Sequence, residues 1–247
     1  MIDAGVGVRT LKKYFRDYGL SLSQVHQLLI THDHADHIKC VGSISHELHL
    51  PVYATELVHH GIDRNFCVTR KVDNADRRYM EKGRSIQLGQ FKVTPFGVPH
   101  DSSDNVGYKI EADNTTFCII TDAGHITDQI GVYISQADYL VIEANHDLEM
   151  LMQGPYPEHL KVRITSGTGH LSNRACGEAI ATYMTGRLKQ VWLCHLSEEN
   201  NHPELARKTV EAVLRSYGIA VGKDLQLEVL KRTMPTGIFE LLPSTQD

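Results

Sequence analysis

No run of apolar residues in this 247-residue chain approaches the length of about 18 that crossing a bilayer requires, so no membrane association is expected. No two cysteines have CxxC spacing. The five thiols (Cys40, Cys67, Cys118, Cys176, Cys194) are scattered, which rules out both a zinc knuckle and a disulfide framework. The opening Met1-Ile2-Asp3-Ala4-Gly5 lacks the charged and then apolar segments of a secretory leader. An odd, scattered set of thiols then reads as reduced, and a cytoplasmic location is expected. There is no internal repeat, low-complexity tract or Pro/Ser-rich linker, so a single domain over 1–247 is the default. A large excess of one charge is also missing. The net charge of −5 argues against a surface that is basic throughout, the form a general nucleic-acid glove would take. Local basic strips remain at 64–84, with seven Lys/Arg against three Asp/Glu, and at 157–190, with five against two. Either strip serves equally well as a solvated helix face.

What is present is a chain with 41% hydrophobic and 22% charged residues, enough to bury a core. It also has fifteen histidines against one tryptophan, and histidine is the commonest metal ligand. Helical spacing runs from Gly7 to Tyr18 and stops at Gly19. Strands are predicted at 25–30, 51–54, 87–98, 107–110, 116–121, 139–143, 191–195, 225–230 and 237–241, with a hairpin turn at Asp113-Asn114. Helices are predicted at 38–48, 55–62, 172–185 and 203–217. Helices interleaved with strands define a layered α/β protein.

The chemistry is concentrated in Thr31-His32-Asp33-His34-Ala35-Asp36-His37, which follows a buried strand and opens a helix. Three histidines and a carboxylate in six positions suit zinc or another first-row divalent ion. His32 and His34 project to one side of an extended segment, whereas Asp36 and His37 lie past the bend and can face a second ion. Two ions need further ligands, and three residues directly after predicted strands supply them: His100, Asp122 and His195.

The order His-x-His-x-Asp-His, then His, Asp and His resembles the metallo-β-lactamase superfamily. That resemblance implies a four-layer αββα sandwich binding two divalent metal ions, zinc above all, with manganese or iron as substitutes. It implies that His32, His34 and His100 hold one ion, that Asp36, His37 and His195 hold the other, and that Asp122 bridges them. Asp3 would orient a ligand histidine from behind. Position 34 favours hydrolysis, because the superfamily's oxygen reductases carry glutamate there. Three further segments, 95–101 with its Gly97-Val98-Pro99-His100-Asp101, Gly169-His170-Leu171-Ser172-Asn173, and 195–203 with its Glu198-Glu199-Asn200-Asn201-His202-Pro203, are similar to the bacterial YycJ (WalJ, VicX) type. Members of that type usually carry a further strand and turn before the Ile-Asp-Ala-Gly strand, so this sequence is expected to lack the first N-terminal hairpin.

The YycJ resemblance implies a DNA exonuclease-like phosphodiesterase in which a metal-bridging hydroxide attacks phosphorus and Asp36 serves as ligand and proton acceptor. The residues between the ligands leave alternatives open. Ser172 or Asn173 can cap the helix that follows, and such a helix head can receive a substrate phosphate, with His170 positioning it or protonating the leaving oxygen. The same segment is equally a plain turn and cap. Asn200, Asn201 and His202 either line the cleft or, through Asn201, cap the helix at Pro203. His125 sits near Asp122 in sequence, and the remaining histidines, His59 and His146 among them, read as surface or structural. Rival functions are a small-molecule hydrolase of cyclic nucleotides, thioesters or lactones, and a non-catalytic regulatory partner of a two-component system. The oligomeric state is not legible.

Overall fold

The computed structural model describes residues 1–242. It divides into two compact units, Met1–Arg84 with Asp101–Val106, and Ser85–His100 with the chain from Gly107 onward.

In the first unit the elements are α1 (Val8–Asp17), β1 (Leu28–Leu29), α2 (Ala35–Ile38), α3 (Val41–Leu48), β2 (Val52–Ala54), α4 (Glu56–Arg64) and β3 (Arg77–Tyr79). The strands form one sheet in the order β1-β2-β3, parallel throughout. Its core is Leu28, Ile30, Ile38, Val41, Ile44, Val52, Val58 and Ile62, the apolar positions of the strands and of the helix faces turned toward them. The helix predicted to stop at Gly19 ends at Asp17, and Gly19 takes the left-handed φ of 69° that closes it. The strand predicted over 25–30 pairs only at Leu28–Leu29, because Ser21 and Gln24 make a capping box that winds Leu22–Gln24 into a 3₁₀ turn just before it. The helix predicted over 38–48 begins at Val41. The Cys40 amide donates to the Ala4 carbonyl at 3.0 Å, which separates the short α2 from α3.

The second unit contains β4 (Ile86–Leu88), β5 (Phe91–Gly97), β6 (Val106–Ala112), β7 (Thr115–Ile120), α5 (Asp128–Gln136), β8 (Tyr139–Glu143), α6 (Leu148–Gln153), α7 (Glu158–Thr165), α8 (Asn173–Tyr183), β9 (Gln190–Cys194), α9 (Pro203–Ser216) and β10 (Gln226–Val229). They build a seven-stranded sheet ordered β10-β9-β8-β7-β6-β5-β4. The run β7-β8-β9-β10 is parallel, whereas β6 with β7 and β4 with β5 are antiparallel pairs. Both faces of β8 are buried: Leu140 and Ile142 enter the main core with Ile130, Ile180 and Val210, while Tyr139 and Val141 pack with Trp192. This explains a strand that reads as an unbroken apolar run.

The single strand predicted over 87–98 is a hairpin, turned by Gly89 at φ 61°. The Asp113-Asn114 turn forms as predicted, with φ of 47° and 59° suited to a two-residue hairpin. The closing strand predicted over 237–241 is not a strand. Phe239 instead packs its ring 5.0 Å from that of Trp192, and the Leu242 amide donates to the Tyr139 hydroxyl, so the segment is held by side chains rather than a ladder. No helix among the described residues is long and apolar enough to cross a membrane.

Candidate metal centre

In the first unit the histidine loop is fixed from behind. A parallel bridge between Ile2 and Leu29 sets Asp3 beside Thr31. The Asp3 carboxylate accepts the Thr31 amide (2.8 Å), the Thr31 hydroxyl (2.9 Å) and Nδ1 of His37 (2.8 Å). Gly5 is required here, since a Cβ would lie 1.5 Å from the Asp36 carbonyl oxygen. Asp33 is a second anchor: its carboxylate accepts the amide and hydroxyl of Ser103, and its carbonyl accepts the Asn65 side chain. The rings of His34 and His37 then lie 4.8 and 4.2 Å from that of His32, centre to centre. Asp36 is exposed on the first turn of α2, with Oδ2 3.6 Å from His37 Nε2.

In the second unit the parallel register does the placing. Ile120, Ile142 and Leu193 are aligned across β7, β8 and β9. Asp122, Glu143 and His195 therefore emerge side by side at the carboxyl ends of adjacent strands, where open α/β sheets carry their sites. Asp122 and His195 turn off their strands in the left-handed region, with φ of 54° and 55°. Glu143, 0% exposed, accepts Nδ1 of both His170 (2.8 Å) and His195 (2.7 Å) on Oε1, and the amides of Ala123 and Leu171 on Oε2. Burial alone would push its proton affinity up, but the two imidazoles outweigh this and hold the carboxyl below the usual range. Burial likewise opposes a charge on His170, and Glu143 overrides it, raising His170 above its ordinary value. Asp122 Oδ1 lies 3.6 Å from His100 Nε2, 3.5 Å from His195 Nε2 and 3.7 Å from His170 Nδ1, and Thr121 donates to its other oxygen. Ligand atoms of Asp122, Glu143, His170 and His195 all lie within 4.8 Å of one another.

The donor set fits a divalent ion. Nδ1 of His37 meets a carboxylate in Asp3, Nδ1 of His195 meets Glu143, and Nδ1 of His100 meets the Gly169 carbonyl at 3.1 Å. Each such bond makes Nδ1 the donor and leaves Nε2 as the lone pair, the usual arrangement behind metal-ligating histidines.

Glu143 escaped the sequence reading. Its signal was a glutamate closing an otherwise apolar strand, followed directly by Ala144-Asn145-His146. His146, read as structural or surface, is buried, and burial lowers its proton affinity to about 4. Ser172 caps α8, its hydroxyl oxygen accepting the Ala175 amide at 3.2 Å. Asn173 is 1% exposed and its side chain bonds reciprocally with Asn201, so it faces the interior and not a ligand. Asn201 does not cap α9; it bonds the carbonyls of Ala144 and Asn145, and His202 is the cap. His125 is exposed and bonds the Gly167 carbonyl. In the strip at 64–84, Arg77 makes a bidentate pair with Asp63, Lys71 caps the end of α4 through the carbonyls of Ile62 and Asn65, and Lys82 pairs with Asp104.

Over residues 1–196 the sequence matches the family described as Beta-lactamase superfamily domain. Exodeoxyribonuclease YycJ of Bacillus anthracis is 34% identical over 238 residues, covering 96% of this chain and 89% of that protein. Exodeoxyribonuclease WalJ of Streptococcus pneumoniae serotype 2 is 34% identical over 227 residues, covering 92% and 84%. Among solved structures, the metallo-β-lactamase fold protein YhfI of Bacillus subtilis superposes with a TM-score of 0.66 at 16% identity, covering 93% of this chain and 83% of that one. Zn²⁺-bound PqqB of Methylobacterium extorquens gives 0.66 at 16%, covering 92% and 80%. Fold and site together define a hydrolase of the metallo-β-lactamase fold. The chain belongs to the β-lactamase superfamily domain family and, within it, to the YycJ/WalJ-type branch.

Proposed function

We propose that this protein is a DNA exonuclease-like phosphodiesterase acting in the cytoplasm as one catalytic domain. The observation that carries the reading is 34% identity, sustained over 96% of the chain, to a relative named an exodeoxyribonuclease. In this reading His32, His34 and His100 would hold one divalent ion and Asp36, His37 and His195 another, with Asp122 as a further ligand. Such ions supply a Lewis acid and an activated water at neutral pH.

The chain's own groups do the rest. Asp36, on the exposed turn of α2, accepts the proton released by the attacking water. Glu143 raises the proton affinity of His170 and orients its ring, and His170 delivers a proton to the leaving oxygen of the scissile phosphodiester. Ser172 keeps its hydroxyl hydrogen while its oxygen caps α8, so it donates to a non-bridging phosphate oxygen at the helix head.

The test is metal analysis joined to cleavage of 5′- and 3′-labelled single- and double-stranded DNA and RNA. Stepwise loss of nucleotides from DNA ends is expected. Protein carrying two equivalents of metal that cleaves no nucleic acid would overturn the reading, and turnover of a cyclic nucleotide alone would move it to a small-molecule phosphodiesterase.

A further inference from the structure

Phe66 is 91% exposed, more than any other large apolar side chain among the described residues. The ring gains nothing from the protein core, yet the backbone presenting it is tightly held. Asn65, immediately before it, donates its side chain to the Asp33 carbonyl (2.9 Å), accepts the Cys67 amide on the same side chain (2.9 Å), and offers its carbonyl to the Val68 amide and to Lys71 Nζ. Val68, two residues on, is buried. The backbone that presents the ring to water is thus held by a hydrogen-bonded turn.

That turn is also joined to the histidine loop. Asp33 lies between His32 and His34, and α4 approaches so closely that a Cβ on Gly61 would sit 1.9 Å from Asp33 Oδ2. Arg64 and Arg70 lie two residues before and four residues after Phe66 in the sequence, and both are exposed. Neither forms an ion pair with a described residue, and the Arg64 Nε donates only to the His60 carbonyl. The exposed apolar face of Phe66 is thus bracketed along the chain by two exposed cations. This pairing of aromatic face and positive charge matches a nucleobase with its phosphates.

We propose that Phe66 is a stacking platform for one unpaired nucleobase of a DNA strand, with Arg64 and Arg70 holding the neighbouring phosphates. The proposal rests on the nuclease reading above and adds a specificity determinant to it. Every base has a face to stack, so recognition is indifferent to sequence. An internal base must leave its duplex to be stacked, so strand ends and single strands are preferred over internal duplex.

The experiment measures binding of the metal-loaded full chain to a phosphorothioate-linked single-stranded oligonucleotide carrying 2-aminopurine at successive positions. Quenching at one position near an end is expected. Phe66→Ala should remove that quench and weaken binding about tenfold. Phe66→Trp should retain both, and Arg64→Ala with Arg70→Ala should weaken binding and flatten its salt dependence while the quench persists. Thermal unfolding of Phe66→Ala should match the parent, since the ring packs on nothing. If the parent protein binds and degrades DNA but Phe66→Ala keeps full affinity and the quench, the stacking proposal falls alone. If the parent neither binds nor degrades DNA, the nuclease reading falls and takes this proposal with it.

Discussion

Glu143 controls two imidazoles with a single carboxylate oxygen and two backbone amides with the other. Glu143→Gln keeps the shape but turns an NH₂ against amides that need an acceptor, or against two Nδ1 donors. Metal affinity or turnover should fall by about 10–100-fold, read by metal titration and steady-state rates; unchanged values would show that the carboxylate is not needed for orientation. His170→Ala should cost about 10²-fold or more in turnover with metal content retained, as expected of a proton donor. Loss of one metal equivalent in that variant would reassign His170 as a ligand. The residues proposed as ligands were legible because metal chemistry restricts which side chains serve and how they are spaced. Glu143 was not, because a glutamate closing a strand reads in sequence as an exit to solvent. Only the alignment of β7, β8 and β9 reveals that it points inward.

At the scale of elements, α4 packs on the histidine loop through Gly61, and α8 begins at Asn173 behind its Ser172 cap. Gly61 lets α4 lie against Asp33, so Gly61→Ala must push the histidine loop or the helix away. A loss of about 2 kcal/mol or more is expected from chemical denaturation, together with weaker metal binding; loss of stability alone would detach α4 from the site. Ser172→Ala removes the α8 cap and should cost about 1 kcal/mol. If the hydroxyl also meets substrate phosphate, KM rises in the same variant, and an unmoved KM would leave Ser172 a cap alone. Elements with strong local signals were legible: the Asp113-Asn114 hairpin, β8 and α9 appear within a residue or two of expectation. The hairpin at Gly89 was passed over because each side alternates, although the apolar positions shift parity across it, from Ile86 and Leu88 to Phe91 and Val93. The α5, α6 and α7 helices were missed as well. α7 has no buried residue and α6 only Leu151, so neither writes a clear apolar stripe into the sequence.

Charge and titration belong to the whole molecule. With Lys71, Arg77 and Lys82 engaged internally and Arg84 paired with Glu81, the strip at 64–84 retains the charges of Arg64, Arg70 and Arg78 for phosphates. Three contacts on a single strand give a slope of log affinity against log salt of about −2. A slope near −7 or steeper in a salt titration would require a basic surface elsewhere. His59 and His146 are buried, and burial lowers the proton affinity of both, His146 to about 4. The unfolded chain takes up these protons near the ordinary value of 6.5 while the folded chain resists, so stability declines as pH falls from 6.5 toward 4. Melting temperature against pH should show that decline, and His59→Gln should make it shallower; equal slopes would assign the acid sensitivity to other groups.

Asp3, Asp122 and His195 all hold left-handed backbone, with φ of 56°, 54° and 55°. For residues bearing a Cβ this conformation costs on the order of 1 kcal/mol each, which glycine would largely avoid. Lineages under selection only to persist as folded protein would therefore drift toward glycine at these three positions. Glycine at all three would also forfeit the bonds of Asp3 to Thr31 and His37 and of His195 to Glu143, so the site would vanish from such descendants while the fold persisted.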